Sequence, residues 1–280
     1  MPDPSEQGAL EVQAFIHRVR PFVVFFAPVG QAPEHSSGAV GTGFLVQFRG
    51  RKYLISALHN FFYKESGLPG VIQSWESSRF KFPDPQPVNF EDARIFPFER
   101  VRLDKGVTLP HSFPAALFID EKHDLIAVEV DGNLGQFSTA QFLDLKRDAF
   151  VEDLHDGKPL LTLGNPYAGR IPIPGDAAKS ALIPYMDHVL FDVKLNTSGI
   201  RTDDLPPDRF FMPYSLHLED IHPGGFSGAP IFGQGGSDKE PVWSVSPQVV
   251  GVMVKYFPRR HIVVAAKIQA VMRLLEAASN

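Results

Sequence analysis

Proline recurs so often along this chain that long uninterrupted helices are excluded over most of it. There are 25 prolines and 23 glycines among 280 residues. Proline has no amide N–H to give a helix interior or a central strand, so each one borders an element. What remains between them are short apolar runs. Residues 23–26, 43–48, 52–57, 93–96, 100–103, 125–130, 160–163, 188–195, 210–213, 230–232, 249–254 and 261–265 read as strands. The runs 43–48 and 52–57 flank Arg49-Gly50-Arg51, a hairpin turn. Val12, Phe15, Ile16 and Val19 fall on one face of a short helix. In the tail KIQAVMRLLEAAS, Ile268, Val271, Leu274 and Leu275 line one face of the clearest helix. A further short helix fits within the polar stretch 136–158. Many short strands with few helices make a mainly β protein, and the strand–helix alternation of a parallel sheet is missing. Two barrels or a sandwich would both fit this pattern.

The bulk numbers are those of a soluble globular protein large enough to bury a real core: 44% apolar and 21% charged residues. The net charge of −5 gives no broad basic field for nucleic acid. There is no cysteine, which excludes disulfides, a thiol nucleophile and cysteine-ligated zinc. That absence points towards a reducing compartment. The opening residues MPDPSEQGALEV are acidic, and the apolar patch at 22–26 is too short for a secretory signal. No apolar stretch approaches the ~18 residues a membrane helix needs. The expectation is a cytoplasmic protein that binds neither membrane nor nucleic acid. Motifs for a zinc hydrolase, a phosphate loop or a dinucleotide fold are missing. His217 and His222 lie five apart in a loop with no evident third ligand, so neither a metal nor a cofactor is expected.

Chemistry concentrates around one serine. A serine hydroxyl is a weak nucleophile that needs an imidazole base, an acid to hold the imidazole, and N–H donors for the oxyanion. Ser227 sits in HPGGFSGAPIF, where glycines let the amides of Gly225 and Ser227 aim at one spot. An ordinary glycine/serine turn would read the same way. His59 follows the strand KYLISA, at the end of a rigid element. Asp124 opens the strand LIAVEV, with Asp120 and Asp131 as nearby competitors.

Taken in order, these segments resemble the chymotrypsin/trypsin-like serine peptidases. Gly41-Thr42-Gly43-Phe44 is similar to that family's Gly-Ser-Gly-Phe strand, and Ser56-Ala57-Leu58-His59 to its Thr-Ala-Ala-His. Asp124-Leu125-Ile126-Ala127 resembles Asp-Ile-Ala. Gly225-Phe226-Ser227-Gly228-Ala229-Pro230 resembles Gly-Asp-Ser-Gly-Gly-Pro. Gly164-Asn165-Pro166 and Val250-Gly251-Val252 match turns and strands of the second half. The likeness runs from about residue 20 to 278. It implies an all-β fold of two antiparallel six-stranded barrels with a C-terminal helix. The first barrel would span 21–145 after an N-terminal extension of 1–20, the second 146–266, and the helix 267–280. It implies a serine endopeptidase acting on a protein or peptide, with Ser227 as nucleophile, His59 as general base and acid, Asp124 as its orienter, and the amides of Gly225 and Ser227 as oxyanion hole.

Departures from the family pattern refine the expectation. Phe226 stands where an Asp would pair with a freed N-terminal amine, and no Ile-Val-Gly-Gly start is present. The resemblance is therefore to cysteine-free, bacterial-type members without zymogen activation. By position, Ile221 occupies the place of a tryptic pocket aspartate, which disfavours cleavage after basic residues. Met253, Tyr256 and His261 either line a pocket for a hydrophobic or small residue or belong to barrel core. The proline-rich stretch 60–115 either binds a regulatory partner or is solvated decoration. Two rivals stand beside the peptidase. An α/β-hydrolase needs its acid and then its histidine after its serine, and parallel βα units before it, whereas only 53 residues follow Ser227 and the region before it is β-rich. A catalytically idle protease-like binding or regulatory module stays open, with Phe226 as the reason.

Overall fold

A computed structural model of the chain describes residues 4–28, 41–61, 95–98, 117–129, 141–149, 154–164, 171–172, 180–181, 187–193, 208–214, 225–237, 240–242, 247–257 and 260–279. Its first sheet contains β1 (Val23–Pro28), β2 (Thr42–Phe48), β3 (Arg51–Ala57), β4 (Ile95–Phe98), β5 (Leu117–Asp120), β6 (Leu125–Glu129) and β7 (Leu143–Asp144). Two short strands, β9 (Ile171–Pro172) and β10 (Ser180–Ala181), pair with each other, as do β14 (Gly235–Ser237) and β15 (Glu240–Val242). The second large sheet is built from β8 (Pro159–Gly164), β11 (Asp187–Asp192), β12 (Arg209–Pro213), β13 (Pro230–Gly233), β16 (Gln248–Phe257) and β17 (Ile262–Lys267). The helices are α1 (Pro4–Val19), α2 (Leu58–Phe61), α3 (Leu145–Asp148) and α4 (Ile268–Ala278).

Local sequence explains the best-formed part. Arg49 and Gly50 both have positive φ, 49° and 79°, the twist that a two-residue hairpin turn needs. β2 and β3 then pair from Phe48↔Arg51 to Gly43↔Ser56. Both strands are buried over most of their length, so they form the centre of the first sheet.

The structure corrects the expected closed barrels and the all-β class. The first sheet has seven strands in the order β4-β1-β2-β3-β6-β5, with β7 beside β2. Its β1–β4 and β2–β7 pairings are parallel, so it is mixed. The second sheet is antiparallel, in the order β11-β8-β13-β16-β17-β12. Among the described residues neither path returns to its first strand, so no barrel closes. Helices complete the core instead. Phe15 and Val19 of α1 and Leu274 and Leu275 of α4 join one buried cluster with Phe44, Ile55, Leu161 and Phe232. α1 is 16 residues long, starting well before the apolar face read from the sequence. Proline at its start fits, because the first turn has no use for its amide.

That cluster draws on both sheets. Phe15 packs edge-on against Phe232 of β13, with centroids 5.5 Å apart. At the other end, Arg51 of β3 pairs with Glu129 and donates through Nη1 to the carbonyl of Ala278 at 3.0 Å. A cation there satisfies an orphan carbonyl and complements the helix dipole. A second cluster, with Leu160, Phe210, Met212, Phe226, Ile231 and Val263, lies within the second half. The expected strand at 100–103 and most of the 60–115 stretch lie outside the described residues.

Candidate active site

β3 runs into α2, a single helical turn that carries His59 and Asn60. Facing it is the turn between β5 and β6, which ends on Asp124 with φ of 60°. Aspartate tolerates this left-handed geometry better than most residues, and such positions cluster at functional sites. The two segments are tied three ways. His59 Nδ1 lies 2.7 Å from Asp124 Oδ2, the His59 amide donates to Oδ1 at 3.1 Å, and the Leu58 amide donates to the Asp124 carbonyl at 2.9 Å. A carboxylate only accepts, so Nδ1 carries the proton and Nε2 of the neutral ring has the lone pair.

The turn has its own support. Asp120 accepts from the His123 amide at 3.1 Å and pairs with the buried His123 ring at 2.5 Å. Asp120 is thus engaged by His123, and Asp124 is the carboxylate on His59. Arg209 of β12 reaches the Lys122 carbonyl at 3.0 Å. Burial lowers its guanidinium below the ordinary value, while the charges of Asp124 and Asp120 oppose that shift. Asp131 lies outside the described residues.

The serine turn is held by different means. Gly225 and Gly228 have φ of 93° and 88°, so both positions favour glycine. The Ala229 amide donates to the Phe226 carbonyl at 2.8 Å and closes the turn between them. Gly228 and Ala229 then bond to Met253 of β16, at 2.6 and 2.9 Å. The Ser227 carbonyl accepts from the Thr42 amide at 3.0 Å and from Asn60 Nδ2 at 2.6 Å. Thr42 Oγ1 donates to the Gly225 carbonyl at 2.7 Å. A Cβ on Gly228 would lie 2.0 Å from the Thr42 carbonyl oxygen and 2.2 Å from Ser56 Oγ. The turn is therefore pressed directly onto the first sheet. Phe226 points the other way, fully buried in the second cluster beside Gly164.

His59 and Asp124 are brought together, and the Ser227 backbone is brought to the residue next to His59. Of the expected pocket residues, Met253 is buried in the second cluster. Tyr256 packs edge-on with Tyr214 at 5.4 Å, and the backbone carbonyl of the exposed His261 accepts from the Tyr214 amide at 2.6 Å. Ile221, His217 and His222 lie outside the described residues. Among the described residues no group of three His, Asp or Glu side chains could hold a metal ion. No described helix is long and apolar enough to cross a membrane.

The sequence reading missed Asn60 and the roles of Thr42 and Ser56. The signal was available: Thr42, Ser56 and Asn60 are polar residues set in otherwise apolar runs, and all three are buried. Buried polar groups are normally hydrogen-bonded, so each should have prompted a search for its partner.

No family model matches the chain, and no curated protein matches it in sequence. Among solved structures it is similar to a serine endoprotease from Yersinia pestis, at 14% identity and TM-score 0.45, covering 99% of this chain and 67% of that one. It is also similar to neuropsin, a serine protease of mouse brain, at 11% identity and TM-score 0.47, covering 94% and 96%. A Glu endopeptidase gives 13% identity and TM-score 0.44, covering 93% and 92%. Likeness at this level does not assign the chain to a family, and the site geometry stands on its own.

Proposed function

We propose that the protein is a serine endopeptidase of the trypsin-like kind, with His59, Asp124 and Ser227 as its catalytic residues. The observation that carries this reading is the double hydrogen bond from His59 to the Asp124 carboxylate, beside a serine turn docked on the same segment. In the proposed reaction His59 Nε2 takes the Ser227 hydroxyl proton as Oγ attacks the scissile carbonyl. Asp124 holds the tautomer and stabilises the imidazolium that forms. The amides of Gly225 and Ser227 would face the oxyanion. The proton then passes to the leaving amine, and water repeats the sequence on the acyl-enzyme.

Phe226 fits an enzyme whose serine turn is held by apolar burial, with no ion pair to a freed N-terminus. Ile221 argues for a substrate residue that is not basic, and the lack of cysteine fits action in the cytoplasm. No cofactor is required for this chemistry. Phe226, in place of the acidic residue expected before the nucleophile, is the reason for the second reading, an idle protease-like binding module. The carboxylate held on His59 Nδ1 has a use in catalysis and none in an idle module, which keeps the enzyme reading first.

A fluorophosphonate probe separates the two. Ser227 Oγ would bond to phosphorus, the P–F bond would break with loss of fluoride, and the hydroxyl proton would go to His59. We expect labelling of the wild type and none of Ser227→Ala. A folded wild type that stays unlabelled at Ser227 would leave the idle module as the reading.

A further inference from the structure

We propose that Asn60 is a positioning residue that sets the distance between His59 and Ser227. This rests on the reading of Ser227 as the nucleophile. Asn60 is 2% exposed and directly follows the base. Its amide nitrogen faces the Ser227 carbonyl at 2.6 Å and Ser56 Oγ at 3.0 Å. The carbonyl has no proton to give, so only the N–H side of the amide can face it. One N–H goes to each partner. Ser56 Oγ donates in turn to the Thr42 carbonyl at 2.7 Å, and the Thr42 amide donates to the Ser227 carbonyl at 3.0 Å. These four residues form a closed circuit through β2, β3, α2 and the serine turn.

The geometry makes room for this side chain. A Cβ at position 41 would lie 2.5 Å from Asn60 Cγ, so Gly41 is the residue that admits it. The consequence concerns His59. Base and clasp are neighbours on one helical turn, so the hydrogen bond from Asn60 to the Ser227 carbonyl ties the serine turn to the segment that carries the base. The separation of the two reacting groups is therefore fixed through Asn60 and the Ser227 carbonyl. A misplacement of about 1 Å in such a pair can lower the rate roughly 10²-fold.

The test measures fluorophosphonate labelling of the full chain, resolved into kinact and KI, with the thermal midpoint of each variant alongside. Asn60→Ala is expected to lower kinact about 10²-fold with KI nearly unchanged. Ser56→Ala breaks the circuit elsewhere and leaves the Asn60–Ser227 bond, so its kinact should fall less than about tenfold at a comparable loss of stability. Asn60→Asp keeps the shape but removes the donor. It should be as slow as Asn60→Ala, and it serves if the alanine variant does not fold. The proposal is overturned if both Asn60 variants label within a few-fold of wild type, or if Ser56→Ala loses as much rate as Asn60→Ala at equal stability. Absence of labelling in the wild type would instead remove Ser227 as nucleophile, and the positioning role with it.

Discussion

His59 and Ser227 are held by opposite kinds of force. His59 is fixed by one carboxylate on a strained turn, through two charge-assisted hydrogen bonds. Both side chains are partly exposed, 42% for His59 and 27% for Asp124. Ser227 is fixed by its backbone: two glycines with positive φ, two donors on its carbonyl, and a neighbouring phenylalanine sunk in the core. The difference separates chemistry from scaffolding. Changes on the histidine side should alter rate with modest effect on folding. Changes on the serine side should alter folding first.

Three substitutions probe that contrast. Asp124→Asn should have the largest effect, about 10⁴-fold in the labelling rate, because an amide facing Nδ1 favours the wrong tautomer. Its stability to urea should stay close to wild type, and a large loss there would break the contrast. Phe226→Ala should cost about 3–5 kcal/mol in urea unfolding, as for other buried phenylalanines. Full stability in that variant would show that the turn is held by hydrogen bonds alone. Thr42→Val should be the mildest. It removes the donor to the Gly225 carbonyl and costs about 1–3 kcal/mol through the unsatisfied group, with a labelling rate within tenfold of wild type. A larger rate loss would make Thr42 part of the oxyanion geometry.

Legibility in the sequence followed the same divide. The β2–β3 hairpin could be read because apolar runs and Arg49-Gly50 agree on one register. His59 and Asp124 stood out as candidates because one ends and the other opens an apolar run, and Ser227 because glycines flank it. Strand β5 could not, since four residues at the end of a proline-rich stretch carry no periodicity of their own. Barrel closure could not be judged either. It depends on how β4 meets β1 and how α1 and α4 cover the sheets, and none of that is local. Phe226 was read for the charge it lacks. Its burial depends on Phe210, Met212 and the other members of the second cluster, which come from distant parts of the chain.

The way α1 and α4 both join one buried cluster has a consequence for the order in which the protein can be made. α1 is made before either sheet, yet Phe15 finds its partner only when Phe232 exists. β3 and Glu129 likewise wait for Ala278 to complete the contact at Arg51. A nascent chain ending anywhere between Asp124 and Ser227 has His59 and its carboxylate but lacks α4 and the Phe232 ring against which α1 packs. The segments that carry His59 and Ser227 are therefore packed in full only once residues from α1 to α4 have all been made.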